Sequence, residues 1–114
     1  MLHVRDATGR SIGQVLWQTT AANPRVHVFD EALALSLIVR DGVCCGATFI
    51  DRDGREQDVE APRTLIASGG AGRLYRVTTN AVICEGIGTA LALETGVATV
   101  ANMEAIQFHP TAIF

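Results

Sequence analysis

Residues 33–61 read LALSLIVRDGVCCGATFIDRDGREQDVEA. Leu33, Leu35, Leu37 and Val39 alternate with Ala34, Ser36, Ile38 and Arg40, which predicts an extended segment. Asp41-Gly42 supplies a tight turn, because both residue types tolerate left-handed backbone. Val43 to Ile50 then runs back, Asp53-Gly54 turns again, and Glu56 to Ala61 forms a third, exposed strand. Two Asp-Gly punctuations between apolar runs define an antiparallel β-meander.

Working outward from it, Asp6-Ala7-Thr8 reads as a helix start, since Asp or Thr can cap unpaired backbone N–H groups. Ile12, Val15, Leu16 and Thr19 follow at helical spacing, and Asn23-Pro24 stops the helix. Val26 to Phe29 is predicted as a short strand, which places the start of the meander near residue 26. On the other side, TLIASGGAG at 64–72 changes the character of the chain. Leu65 and Ile66 are expected in a fully apolar core strand that ends in Ser68-Gly69-Gly70-Ala71-Gly72. Residues 79–82 read as a loop into a helix from about Ile83 to Glu94, with Gly96 as its C′ residue. A last extended stretch, Val97 to Phe108, leads into His109-Pro110.

The chain of 114 residues is long enough for one domain, and its hydrophobic fraction of 48% with few aromatics suits an α/β core of small aliphatics. Net charge is −3 with acids and bases interspersed, so no basic patch points to nucleic acid. Apolar runs are short and interrupted, so no bilayer span is expected, and MLHVRDATG lacks the apolar core of a signal peptide. Cys44 and Cys45 are neighbours on a strand and point to opposite faces. Cys84 stands apart, and there is no C-x-x-C pair. The cysteines therefore read as reduced thiols of a cytoplasmic chain, with no metal site.

A core strand ending in Gly-Gly lets a ligand approach backbone with no Cβ in the way, at the strand end where α/β sheets bind ligands. From spacing alone the plain tight loop is the default, and Gly69, Gly70 and Gly72 do not fit a G-x-G-x-x-G register. Gly86-Ile87-Gly88 near a helix start suits a phosphate, and equally suits close packing of the helix on a strand. His109, held extended before Pro110, can donate a hydrogen bond to a ligand carboxylate, although a lone His is more often structural. His3 and His27 read as surface residues. Glu104 is not singled out as a base by its spacing, and Arg73 and Arg76 either flank a phosphate or are solvated. No Ser-His-Asp or Cys-His arrangement is legible. The residues alone give an α/β domain with a possible nucleotide-facing glycine loop, and no reaction.

The ordered set of motifs goes further. Residues 67–80 fit A-[TS]-G-G-[AY]-[GS]-[RK]-[ILV]-Y-x₃-T-N, and residues 103–111 fit M-E-x-x-Q-[FY]-H-P-T. In this order the pieces resemble the flavoprotein subunits of succinate dehydrogenase and fumarate reductase, a pattern shared by L-aspartate oxidase. DATGRSIGQVLWQTTAA at 6–22 resembles the family's helix before the meander, so the resemblance covers nearly the whole chain. NAVICEGIGTALALETG at 80–96 looks most like the bacterial quinol:fumarate reductase type. Where many relatives carry Asp, this chain has Ile87, so Ile87 is given no flavin contact, and whether Glu85 substitutes stays open.

The resemblance implies a partial Rossmann-like FAD-binding domain with an antiparallel β-meander, lacking the N-terminal dinucleotide-fold half. It implies an internal fragment spanning 1–114: meander about 26–61, Gly-Gly loop and helix 64–96, substrate-side segment 97–114. FAD would be lined by Ala67, Ser68, Gly69 and Gly70, with Thr79 and Asn80 in the loop near the flavin and Ala34 beside the adenine. His109 would hold a carboxylate of fumarate or succinate. The proton-donating Arg would lie beyond Phe114, so no catalytic residue is assigned and no turnover is expected from these residues alone. An uncovered edge on the TLIAS strand would leave the isolated chain marginally stable and sticky. The implied partners are an iron–sulfur subunit and a membrane anchor, with the flavoprotein peripheral on the inner face of the cell membrane. L-aspartate oxidase is the rival within the family. A non-catalytic α/β domain that has lost flavin is the rival outside it, and Ile87 is the feature that favours it.

Overall fold

The computed structural model describes residues 7–106. The expected roles of Asp6 as a cap and of His3 and His109 therefore lie outside the described residues. The chain divides between Glu31 and Ala32 into two compact units.

In the first unit, α1 spans Thr8–Ala21. Thr8 is its first helical residue and not its cap; Ala7 takes the cap position with no side-chain hydrogen bond. The helix ends as expected. Pro24 has no N–H to continue the ladder, and Asn23 accepts from the Arg25 N–H through Oδ1 at 3.0 Å, turning the chain. Val26 to Phe29, expected as a strand, forms no strand in the structure. Its β-branched and aromatic composition favours extended backbone, but a strand exists only where another lies alongside to pair with it.

The second unit holds a three-stranded sheet in the order β1-β2-β3, with β1 at Leu33–Arg40, β2 at Val43–Ile50 and β3 at Glu56–Glu60. Both pairings are antiparallel. The β1–β2 connection is the two-residue turn expected: Asp41 and Gly42 have φ of 52° and 76°, the mirror-image turn whose twist matches the strands. The β2–β3 connection is organised by Asp51. Its Oδ1 accepts from the N–H groups of Asp53 and Arg55 at 2.9 Å, and its Oδ2 accepts from Gln57 Nε2 at 3.1 Å.

The simple alternation along β1 does not survive. The register shifts between Ala34 and Ser36 and again between Ile38 and Val39, leaving Leu35 on β1 and Cys45 on β2 as extra residues. Each shift re-aims the strand beyond it, so Leu37, Ile38 and Val39 are all half-buried. The core sits on β2, which among the described residues is the only strand with neighbours on both sides: Gly46, Thr48 and Phe49 are buried. The Thr48 hydroxyl is satisfied there by donating to Asp58 Oδ1 across the sheet at 2.7 Å. As expected, β3 is exposed throughout.

Leu65 and Ile66 do not form the core strand expected of them. They belong to no strand, and Leu65 is 90% exposed. An apolar run becomes a buried strand only when strands flank it, and among the described residues no strand pairs with this one.

Helix α2 runs Ile87–Glu94, four residues shorter at its start than expected from Ile83. A turn closed by the Cys84 N–H on the Ala81 carbonyl, and a left-handed Gly86 at φ 76°, hold residues 81–86 out of the helix. At the other end Gly96 is the C′ residue, its N–H bonded to the Leu93 carbonyl at 3.0 Å. α2 packs on β1. Beyond it, the expected extended stretch is broken by a turn in which the Ala105 N–H reaches the Asn102 carbonyl at 2.9 Å. The class is α/β, with a described sheet that is antiparallel throughout. No helix among the described residues is long and apolar enough to cross a membrane.

Candidate functional site

The glycine-rich loop after Ile66 is tied down by backbone. The Gly86 N–H bonds to the Gly70 carbonyl at 3.1 Å, and the Arg73 N–H to the Cys84 carbonyl at 2.9 Å. The loop then closes into a single 3₁₀ turn, Gly72–Leu74. Against it lies Asn80, whose backbone N–H and side-chain Nδ2 both donate to the Thr78 hydroxyl, at 3.1 and 3.0 Å.

These pieces enclose a cleft of about 410 Å³ lined by Gly70, Ala71, Gly72, Thr79, Asn80, Ala105 and Ile106. Its polar groups are backbone amides, one hydroxyl and one carboxamide. No lining side chain is charged or titrates near neutral pH, so the cleft can orient a ligand by hydrogen bonding but offers it no acid or base. Arg73, Arg76 and Glu104 are exposed and outside the lining. Among the described residues no group of His, Cys, Asp or Glu side chains could hold a metal ion.

Of the residues expected to hold the cofactor, the structure brings Gly70, Thr79 and Asn80 together in this cleft. Ala67, Ser68 and Gly69 lead up to it without lining it, and Ala34 sits on β1 opposite Phe49. Ser68 faces α2: its hydroxyl lies 2.1 Å from where a Cβ on Gly88 would stand. For the Gly86-Ile87-Gly88 segment, the geometry therefore favours close helix packing. Ala71, Gly72, Ala105 and Ile106 were not singled out by the sequence. Gly72 had a signal, as part of the glycine cluster. Ala105 and Ile106 stood in the motif at 103–111 only as its two unspecified positions, just after the turn at Asn102.

At Gly69 and Gly70 a Cβ would meet nothing within 4 Å, so open space borders the backbone there. At Gly72 the Cβ position is filled by the Asn80 side chain. Bare backbone beside open space, with a carboxamide and a hydroxyl at the rim, fits a planar ligand rich in hydrogen-bonding groups.

An α/β unit that presents a pinned glycine loop to an uncharged polar cleft suits a cofactor held largely through backbone. The chain belongs to the FAD binding domain family, whose model matches residues 1–114, and its cofactor is FAD. It is 46% identical over 109 residues to the fumarate reductase flavoprotein subunit of Helicobacter pylori, covering 95% of this chain and 15% of that protein. It is 39% identical over 118 residues to a chloroplastic L-aspartate oxidase of Nicotiana tabacum, covering 99% of this chain and 18% of that one. Among solved structures it is similar to an E. coli quinol fumarate reductase FrdA chain, with a TM-score of 0.76 at 34% identity over 81% of this chain and 16% of the other. The chain thus spans less than a fifth of the length of these relatives.

Proposed function

We propose that these residues form a segment of the partly Rossmann-like FAD-binding domain of a flavoprotein oxidoreductase that interconverts fumarate and succinate. The observation that carries this reading is the 46% identity to a fumarate reductase flavoprotein subunit across nearly the whole chain, above the 39% and 37% to L-aspartate oxidases. The cleft supports it by fitting a flat cofactor held by backbone.

In this reading the residues would hold FAD, which would supply hydride-transfer chemistry to the substrate. The chain's own residues bind and orient. Gly69 and Gly70 let the cofactor reach bare backbone, Thr79 and Asn80 hydrogen-bond near the flavin, and Ala67, Ser68 and Ala34 complete its surroundings. His109 donates to a carboxylate of the dicarboxylate substrate. The proposed assembly adds an iron–sulfur subunit and a membrane anchor that hold the flavoprotein at the inner face of the membrane, in respiratory electron transport. A second reading, L-aspartate oxidase, is favoured by relatives that cover 99% of this chain.

The test is to express the complete reading frame that contains these residues and record flavin absorbance, dye-linked fumarate reduction and aspartate oxidation. Bound flavin with fumarate turnover supports the proposal. Then His109→Ala should lower kcat/KM for fumarate by about 10- to 100-fold, the worth of one hydrogen bond to a charged group. Turnover of aspartate alone moves the protein to the oxidase reading. Absence of flavin overturns both.

A further inference from the structure

Gly72 and Asn80 meet more closely than any other glycine–side-chain pair that borders the cleft. A Cβ on Gly72 would lie 2.4 Å from Asn80 Nδ2, 2.5 Å from Cγ and 2.9 Å from Oδ1. Gly72 is buried, and its backbone is outside the left-handed region that demands glycine elsewhere. Glycine is needed here for space alone. All three of these carboxamide atoms crowd the place where a Gly72 side chain would start, so any side chain there would push the carboxamide away.

The other side of Asn80 is held by Thr78. One hydroxyl oxygen accepts both the backbone N–H and the side-chain Nδ2 of Asn80. Those two bonds set the backbone and the carboxamide plane of the same residue together. They occupy one Nδ2 hydrogen and leave the second hydrogen and Oδ1 for whatever enters the cleft. A donor and an acceptor side by side in a fixed plane match the complementary edge of a heterocyclic ring.

We propose that Gly72 and Thr78 are positioning residues: together they hold the Asn80 carboxamide in the plane in which it hydrogen-bonds the cofactor. This rests on the reading that the cleft takes FAD. Neither residue needs to touch the cofactor. Gly72 supplies the seat, and Thr78 supplies the anchor.

The test uses the complete protein, stripped of flavin and titrated with FAD by flavin fluorescence, with the melting temperature of each apo variant recorded alongside. Asn80→Ala should raise the Kd for FAD about tenfold, as expected for one lost hydrogen bond in a cleft. Thr78→Val keeps shape and removes the acceptor, so it should raise Kd about three- to tenfold. Thr78→Ser keeps the hydroxyl and should restore binding to within about twofold of the parent. In the Asn80→Ala background Thr78→Val should add almost nothing, because Thr78 acts through Asn80. Gly72→Ala should weaken FAD as Asn80→Ala does, and should be tolerated once Asn80 is Ala and the seat is vacant. If Gly72→Ala fails to fold, the Thr78 pair decides the matter by itself. A Thr78→Val effect of equal size with and without Asn80, or none where Asn80→Ala weakens FAD, overturns the positioning roles alone. An unchanged Kd in Asn80→Ala overturns the placement of FAD in this cleft, and the positioning roles with it.

Discussion

Gly88 on α2 and Ser68 in the preceding loop are in direct contact: a Cβ on Gly88 would stand 2.1 Å from the Ser68 hydroxyl and 2.4 Å from Ile66 Cγ2. Both obstructing atoms are one bond from their own Cβ, so neither can withdraw without a change of rotamer. Alanine at this position gains about 1 kcal/mol of helix propensity, but overpacking costs about 1–3 kcal/mol, and the clash wins. Gly88→Ala should therefore destabilise the protein in a denaturant titration. Gly13→Ala in α1, where a Cβ meets nothing within 4 Å, should instead stabilise by about 0.5–1 kcal/mol. Equal effects of the two substitutions would contradict the contact.

Gly46 gives a harsher case. On the buried middle strand its Cβ would fall 2.1 Å from the Val59 carbonyl oxygen and 3.1 Å from the Glu60 α carbon, both backbone atoms of β3. Backbone cannot swing aside as a side chain does, so Gly46→Ala must spread the β2–β3 ladder. A loss of about 2–3 kcal/mol is expected from overpacking and strain together. Hydrogen exchange should localise the added opening to Ala47, Val59 and their ladder partners.

Asp51 makes the β2–β3 turn sensitive to acid. The Arg55 N–H, with Gln57 and Asp53, holds its carboxyl below the usual carboxylate range in spite of partial burial. A depressed folded pKa means that the carboxylate contributes stability above its unfolded pKa of about 3.9, and that this is lost as pH falls through the folded value. Protection of the Arg55 and Asp53 amides should drop across that acid window, while Asp51→Ala should show weak protection at every pH. A turn equally protected at pH 2 and pH 6 would contradict the assignment.

Cys44 should be more reactive than an ordinary thiol. The Thr64 hydroxyl, 3.5 Å from its Sγ, can turn to donate to the thiolate and so holds the thiol below the usual value. A lower pKa leaves more thiolate at neutral pH, and thiolate is the nucleophile. Peptide mass spectrometry of iodoacetamide labelling between pH 6 and 9 should show Cys44 modified with a midpoint that moves upward in Thr64→Val. An unmoved midpoint removes Thr64 as the cause.

The turns were the most legible part of this chain, because Asp41-Gly42 and Asp53-Gly54 state a local backbone geometry that few other residue pairs accept. With alternation on either side they determine strand order and antiparallel sense, and Gly96 marks the end of α2 for the same local reason. Of the residues lining the cleft, Gly70 was legible as part of a strand-end glycine pair, and Thr79 and Asn80 only as members of an ordered motif. What the motif left unsaid is that Ser68 packs on α2 and that Gly72 makes room for Asn80.

Composition and spacing thus determined several features that depend on near neighbours, the strands β1–β3 with their turns and the helix stops, but not the start of α2. Tertiary structure decided the rest. Leu65 is as apolar as any strand residue and is nevertheless exposed, because burial needs another element laid against it. The register shifts at Leu35 and Cys45 arise from how β1 and β2 meet, not from either strand alone. Ala105 and Ile106 reach the cleft from just after the turn at Asn102, far from the glycine loop in sequence. Pairing, packing and approach between distant residues are properties of the folded chain, and a one-dimensional pattern carries no distance between them.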